Sequence, residues 1–98
     1  MLLEEPVIES SDAALMQRVR EGDREAFACL VDRYKQPILS FAYRSLKDLS
    51  DAEDVAQQTF VQVYRHAGRY QTTAKFSTWL FTIARNLCLN EIRRRERH

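Results

Sequence analysis

Apolar residues recur at intervals of three and four along most of the chain, which is the spacing of one face of an α-helix. The pattern predicts a short first helix that Ser11 or Asp12 caps and that Gly22 ends. In the long second helix Pro37 predicts a kink or a break, and the uninterrupted apolar phase favours the kink. The apolar face of this second helix comprises Phe27, Leu30, Val31, Tyr34, Ile38, Phe41, Ala42, Leu46 and Leu49.

Two further helices are predicted in the second half of the chain. The capping-box sequence Ser-Asp-Ala-Glu at 50–53 predicts the start of a third helix, roughly 51–67, and Gly68 fits the residue after its end. Residues 69–75 read as a loop, and a fourth helix covers roughly 76–96. Because no segment alternates as a strand does, we predict an all-α fold, a compact helical bundle of three long helices plus a short N-terminal helix. The positions predicted to face its core are Ala52, Val55, Ala56, Phe60, Val63, Tyr64, Ala67, Phe76, Leu80, Ile83, Ala84, Leu87 and Cys88.

Length and composition narrow the class of protein. Ninety-eight residues, 45% hydrophobic and 30% charged, suit one domain, predicted at 11–98 after a disordered lead at 1–10. No apolar run could form a membrane helix and no signal peptide is present, so we expect a cytoplasmic monomer without membrane insertion. Cys29 and Cys88 lack metal-ligand spacing and are expected as buried thiols, with a redox pair as the alternative. No motif for catalysis, nucleotides or metals occurs, so we expect no enzyme activity and no cofactor.

Charge is divided along the chain. Residues 1–64 carry 7 Lys and Arg against 12 Asp and Glu, whereas residues 65–98 carry 8 against 2. This split suggests one acidic and one basic surface for different partners, although a charge run alone is usually a solvated helix end.

The outward side of the third helix is unusual. Adjacent glutamines beside an acid and an exposed valine indicate a docking face for a partner, with ordinary surface residues as the alternative. The residues concerned are Asp54, Gln57, Gln58, Val61 and Arg65.

The fourth helix and the loop before it combine cations, amides and aromatic residues. Cations meet phosphates, and asparagine reads base edges, so this combination is typical of single-stranded nucleic-acid binding. Tyr70 is predicted to be exposed because its loop is polar, whereas Phe76 and Trp79 are expected to fill the core.

Three runs carry a family resemblance: GDREAF at 22–27, DAEDVAQQTF at 51–60 and FSTWLFTIARN at 76–86. They closely resemble region 2 of bacterial RNA polymerase sigma factors of the extracytoplasmic-function group. The resemblance implies a transcription initiation module whose third helix docks on the clamp coiled coil of the β′ subunit of core RNA polymerase. The implied docking residues are Asp54, Gln57, Gln58, Val61 and Arg65.

The resemblance also implies that loop 69–75 captures a base of the promoter −10 element, flipped from the single-stranded non-template strand. Tyr70 matches a position beside that base, and Asn86 matches a base-reading position. The residues implied for −10 DNA are Arg69, Tyr70, Gln71, Thr72, Lys75, Thr78, Arg85, Asn86, Asn90, Arg93 and Arg94.

This chain departs from the sigma-factor pattern in two respects, and the resemblance implies one further partner. Where primary sigma factors have adjacent tryptophans that help to open the duplex, this chain has Thr82 and Ile83. The family's region 4 is expected to be absent from this chain, and an anti-sigma factor is an implied partner. The alternative function is a helical protein–protein interaction module of a transcription regulator that does not contact DNA directly.

Overall fold

The computed structural model describes residues 10–71 and 73–97, and these residues form helices with short connections. Within them, the helices are α1 (Asp12–Arg20), α2 (Arg24–Leu46), α3 (Leu49–Arg65) and α4 (Phe76–Glu96). A 3₁₀ turn, Ala67–Arg69, joins α3 to the loop before α4. No strand occurs in this described part of the chain, and the all-α prediction is confirmed.

The start of α1 and the turn between α1 and α2 form as the sequence predicts. Ser11 caps α1, since its Oγ accepts a hydrogen bond from the Ala14 amide. Gly22 has a φ of 92°, and its amide donates to the Val19 carbonyl at 2.9 Å. The Asp23 amide donates to the Arg18 carbonyl, also at 2.9 Å, which completes a Schellman motif. The glycine prediction is therefore confirmed here.

Asp23 links the end of α1 to the start of α2. Its Oδ1 accepts from the amides of Glu25 and Ala26, and its Oδ2 accepts from Arg18 Nε at 2.9 Å. The Ala26 hydrogen bond and the Arg18 guanidinium outweigh desolvation and lower the pKa of this carboxyl. α2 then continues without a break through the exposed Pro37.

The connection between α2 and α3 differs from the prediction. Lys47 ends α2 in the left-handed conformation, at a φ of 58°, and Asp48 caps α3 by accepting from the Asp51 amide at 2.9 Å. The predicted cap at Ser50, which would have accepted from the Glu53 amide, is therefore wrong, because the helix already begins two residues earlier with Asp48 as its cap. Leu49 is 56% exposed at the start of α3 and does not extend the apolar face of α2.

The end of α3 also differs from the prediction. His66 is the C-terminal cap, and Gly68 lies inside the 3₁₀ turn with a φ that is not positive. The prediction of a left-handed Gly68 is wrong, because the chain tightens into i→i+3 bonds instead of reversing through a Schellman motif. The Arg69 amide, for example, donates to the His66 carbonyl at 2.8 Å.

Two clusters form the core. The larger cluster joins α1, α2, the end of α3 and the start of α4, and the smaller one joins the other ends of α2, α3 and α4 around Cys88. Thr59 is buried on α3 without having been predicted, and its hydroxyl donates to the Val55 carbonyl at 2.7 Å. Tyr64 was predicted to face the core but is 48% exposed, and Cys29 is half-buried.

One arginine joins the end of α4 to the α2–α3 connection. Arg95 Nη1 donates to the Leu46 carbonyl at 2.8 Å, and Nη2 donates to the Asp51 carboxylate. The Asp51 hydrogen bond raises the pKa of the guanidinium. This contact fixes where the basic end of α4 lies relative to the start of α3.

Residues 1–9 of the predicted lead lie outside the described residues, and Ser10 is buried. In the described part of the chain, no helix combines the length and apolarity that crossing a membrane requires.

Candidate functional site

The predicted docking residues on α3 are all exposed, but the neighbouring helices divide them into two groups. Gln57, Val61 and Arg65 line an open groove of about 680 Å³ between α2 and α3. The groove is mainly apolar, and its walls include Phe27 and Tyr64, whose rings meet edge to face at 5.1 Å. A docking partner with an apolar side chain fits this composition.

Asp54 and Gln58 belong to a second groove, of about 560 Å³, between α3 and α4. The opposite wall carries Asn90 and Arg94, which the family resemblance had implied as DNA-binding residues. The 3.6-residue period explains this placement, because positions 90 and 94 lie closer to α3 than the outermost residues of α4 do. The structure thus brings two residues of each predicted set together.

Arg94 is held by its own helix. Its Nε and Nη2 donate to both oxygens of Glu91, at 2.9 and 2.7 Å. This bidentate pair lowers the pKa of the Glu91 carboxyl and raises that of the Arg94 guanidinium. Its donors are therefore less available to a phosphate than those of an unpaired arginine.

The outer face of α4 carries the rest of the predicted DNA residues of that helix. Thr78, Arg85, Asn86 and Arg93 are exposed, and the helical period places them opposite the buried Leu80, Ala84 and Cys88. Neither Arg85 nor Arg93 has a carboxylate within salt-bridge distance among the described residues. These two cations are open to an incoming phosphate.

Most of the described residues of loop 69–75 lie on the surface. Arg69, Gln71 and Lys75 are exposed, and the Ala74 amide donates to the Gln71 carbonyl at 2.9 Å. Thr72, also predicted to contact DNA, lies outside the described residues. The loop therefore carries an exposed cation at each end.

Tyr70 requires a correction. It was predicted to be exposed, but only 3% of its surface is accessible. The 3₁₀ turn directs its ring onto Phe76 and Trp79, with centroids at 5.8 and 5.2 Å, and its hydroxyl donates to the Ala74 carbonyl at 2.6 Å. The polar sequence of the loop concealed this packing, since the apolar partners follow on α4. Phe76 is buried and Trp79 half-buried against the core, as expected.

A polar cluster around Asp12, which no sequence pattern indicated, lies beneath this loop. Asp12 accepts from Arg33 Nη1 at 2.8 Å and from the Tyr34 hydroxyl. Burial, followed by the Asp12 hydrogen bond, raises the pKa of Tyr34 to about 12. More than twenty positions separate Asp12 from its partners, so no local pattern could have joined them. Elsewhere in the described chain, no three His, Cys, Asp or Glu side chains gather as a metal ion requires.

Comparison with known proteins identifies the family. The model for sigma-70 region 2 matches residues 30–98. The chain belongs to the sigma-70 region 2 family. Its relatives in the extracytoplasmic-function group include sigma factor SigW of Bacillus subtilis, 41% identical over 81 residues, which are 83% of this chain and 43% of SigW. Another relative, the RNA polymerase sigma-H factor of Pseudomonas aeruginosa, is 38% identical over 84 residues, which are 86% of this chain and 44% of that factor. This region 2 chain thus spans less than half the length of these curated relatives.

Two solved structures share the fold. One is the NMR structure of an engineered region 2 of sigmaE in complex with GTAAAA, with a TM-score of 0.83 and 35% identity over 97% of this chain and 96% of that one. The other is CnrH in complex with the cytosolic domain of CnrY, with a TM-score of 0.72 and 30% identity over 83% of this chain and 53% of that one.

Proposed function

We propose that this chain is a transcription initiation module that binds core RNA polymerase through α3 and the promoter −10 element through loop 69–75 and α4. The observation that carries the proposal is the arrangement of two different exposed surfaces on the sigma region 2 fold. One surface combines amides with an apolar groove, and the other is a positive outer face. The role is non-enzymatic and requires no cofactor.

The DNA-binding surface in this proposal consists of the outer face of α4 and the exposed loop. Arg85, Arg93 and Lys75 hold phosphates, while Asn86 reads a base edge. The likeness to an engineered region 2 of sigmaE, which was solved with GTAAAA, supports this assignment over 97% of the chain. Tyr70 enters the proposal as the support of the loop, because its buried ring is not available for stacking on a base.

The polymerase-binding surface in this proposal is the docking face of α3. The polymerase binds along the α2–α3 groove, where it contacts Gln57, Val61 and Arg65. The polar side of the contact is formed by Asp54 and Gln58. A coiled coil such as the β′ clamp offers the apolar and charged side chains that such a surface accepts. Because RNA polymerase works on the chromosome, this function places the protein in the bacterial cytoplasm.

This chain lacks the adjacent tryptophans that help to open the DNA duplex in primary sigma factors. The positions that hold tryptophans in primary sigma factors are Thr82, which is exposed, and Ile83, which is half-buried. Thr82 also donates its hydroxyl to the Thr78 carbonyl at 2.8 Å. We therefore propose that this module captures a strand that polymerase has helped to separate.

We also propose that a protein inhibitor binds this chain. An anti-sigma factor that covers the α2–α3 groove would block polymerase docking, because Val61 and Tyr64 are partly exposed there at 38% and 48%. The likeness to CnrH, which was solved with the cytosolic domain of CnrY, supports a protein partner of this kind.

The experiment measures binding of a fluorescent single-stranded oligonucleotide that contains GTAAAA, with its complement and the duplex as comparisons. We expect the strand to bind more tightly than either, and Arg85→Ala and Arg93→Ala each to reduce the slope of log affinity against log salt by about one. Asn86→Ala is expected to reduce discrimination between bases. Arg20→Ala, an exposed arginine at the far end of α1, is the matched control. Equal binding of all three nucleic acids, unaffected by these substitutions, would contradict the assigned DNA surface, and no binding of any of them by the folded chain would support the interaction module without DNA contact.

A further inference from the structure

Both oxygens of the Asp12 carboxylate are engaged by α2. Oδ1 accepts from Arg33 Nη1 at 2.8 Å, and Oδ2 accepts from the Tyr34 hydroxyl. The Asp12 side chain is 25% exposed and that of Arg33 is 29% exposed, so both are partly shielded from water. A carboxylate held from two sides in this way is fixed more firmly than an exposed ion pair.

The cluster continues directly into loop 69–75 through aromatic rings. The Tyr34 ring packs on Phe76 with centroids 5.6 Å apart, and Phe76 packs on Tyr70 at 5.8 Å. Tyr70 in turn donates to the Ala74 carbonyl within the loop. An unbroken series of contacts thus joins a carboxylate on α1 to the backbone of the loop.

Asp12 also lies at the foot of the loop itself. A cavity of about 390 Å³ is lined on one side by the start of α1, from Ser11 to Ala13, and on the other by Thr73, Ala74 and Lys75. The Asp12 charge contributes, after burial, to the raised pKa of Tyr70. The start of α1 and the second half of the loop therefore face each other across this cavity.

We propose that Asp12 is a positioning residue for DNA recognition, which holds loop 69–75 in its binding shape through Arg33, Tyr34 and the aromatic contacts above. This inference rests on the proposed binding of single-stranded DNA. It adds α1, which carries none of the predicted DNA contacts, to the elements that determine DNA affinity.

The sign of one substitution separates positioning from simple electrostatics. Asp12→Asn removes a negative charge near the path of a polyanion, so electrostatics alone predicts tighter DNA binding. Loss of positioning predicts weaker binding, because the loop must be ordered again when DNA binds. We expect the affinity for the GTAAAA oligonucleotide to fall about tenfold, the size of effect expected when a hydrogen-bonded charge is lost.

The experiment compares three variants. Tyr34→Phe keeps the ring on Phe76 and removes only the hydroxyl, so it is expected to weaken DNA binding less than Asp12→Asn does. The matched control is Asp32→Asn, which removes an exposed carboxylate of α2 that is paired with Lys35 at 3.4 Å. The control is expected to bind DNA at least as well as the unchanged protein.

A second readout does not depend on DNA. In Asp12→Asn, hydrogen exchange at the Ala74 amide, which is bonded to the Gln71 carbonyl, is expected to be about tenfold faster. Exchange at the amide of Leu30, which is fully buried within α2, is expected to stay unchanged, whereas a general loss of stability would accelerate it.

The outcomes are distinguishable. Weaker DNA binding with faster exchange confined to the loop supports the inference. Unchanged loop exchange, or DNA binding that is unchanged or tighter in Asp12→Asn, overturns it. If the unchanged protein binds no strand, the proposed function fails by itself, and the exchange comparison still decides whether Asp12 holds the loop.

Discussion

The Tyr70 hydroxyl donates a hydrogen bond to the Ala74 carbonyl oxygen at 2.6 Å, which closes loop 69–75 over a buried ring. The same ring packs on Phe76 and Trp79 at the start of α4. The loop that we propose to meet DNA is therefore built on the core, and its shape depends on residues that do not touch the nucleic acid.

Truncation of Tyr70 tests this relationship. Tyr70→Ala is expected to lower the free energy of unfolding by about 3 kcal/mol, because it removes a buried aromatic side chain. Tyr70→Phe keeps the ring and is expected to cost about 1 kcal/mol for the lost hydrogen bond. Urea unfolding followed by circular dichroism measures both values. A stable Tyr70→Ala variant with weaker DNA binding would instead indicate direct base contact.

The two glycines offer a matched pair. Gly22 has a φ of 92°, whereas Gly68 has no positive φ, and an added Cβ meets no atom within 4 Å at either position. Gly22→Ala is expected to destabilise the protein by about 1 kcal/mol through backbone strain. Gly68→Ala is expected to stabilise it by about 0.5 kcal/mol, because alanine has less freedom in the unfolded chain. Equal effects in thermal unfolding would contradict the assigned conformations.

Arg93 and Arg95 separate DNA binding from stability on a single helix. Arg95→Ala is expected to lower the free energy of unfolding, because it releases the Leu46 carbonyl and Asp51. Arg93→Ala is expected to leave unfolding unchanged and to weaken single-stranded DNA binding. The opposite assignment of effects would show that the exposed side of α4 is not the DNA-binding face.

Tyr34 predicts a dependence of stability on alkaline pH. Its pKa is about 12 in the folded protein and 10.0 as the reference value, so the folded state keeps the proton that the unfolded chain loses between these values. Its contribution to stability is therefore complete below pH 10 and is lost as pH rises through 12. The difference in unfolding free energy between the unchanged protein and Tyr34→Phe is expected to shrink over this range. A constant difference would contradict the raised pKa.

Local patterns predicted much of the fold. The helical period located α4 at 76–96, and the glycine rule located the turn at Gly22, because both depend on neighbours in the chain. The same rules failed at Gly68 and at Ser50, where a 3₁₀ turn and an earlier aspartate satisfied the backbone first. The alternative starts and ends of a helix differ little in free energy, so a capping sequence alone does not determine which one forms.

Sequence patterns predicted many of the residues of the candidate site but not how those residues are arranged in space. Helical spacing indicated that Gln57 and Asp54 are exposed, but only the positions of α2 and α4 show that they line different grooves. The burial of Tyr70 and the partners of Asp12 are tertiary contacts, which residue spacing does not encode.

The central claim is that α3 docks on RNA polymerase. The most direct measurement is capture of purified bacterial core RNA polymerase by the tagged chain and by Asp54→Lys/Gln57→Ala, both changed residues being exposed on α3. The control, Gln17→Ala/Glu21→Lys, makes the same changes in an exposed hydrogen-bonded pair of α1. We predict capture by the unchanged chain and the control, and about tenfold weaker capture by the α3 variant at unchanged thermal stability. Equal capture by all three folded chains would contradict the assignment of the docking face.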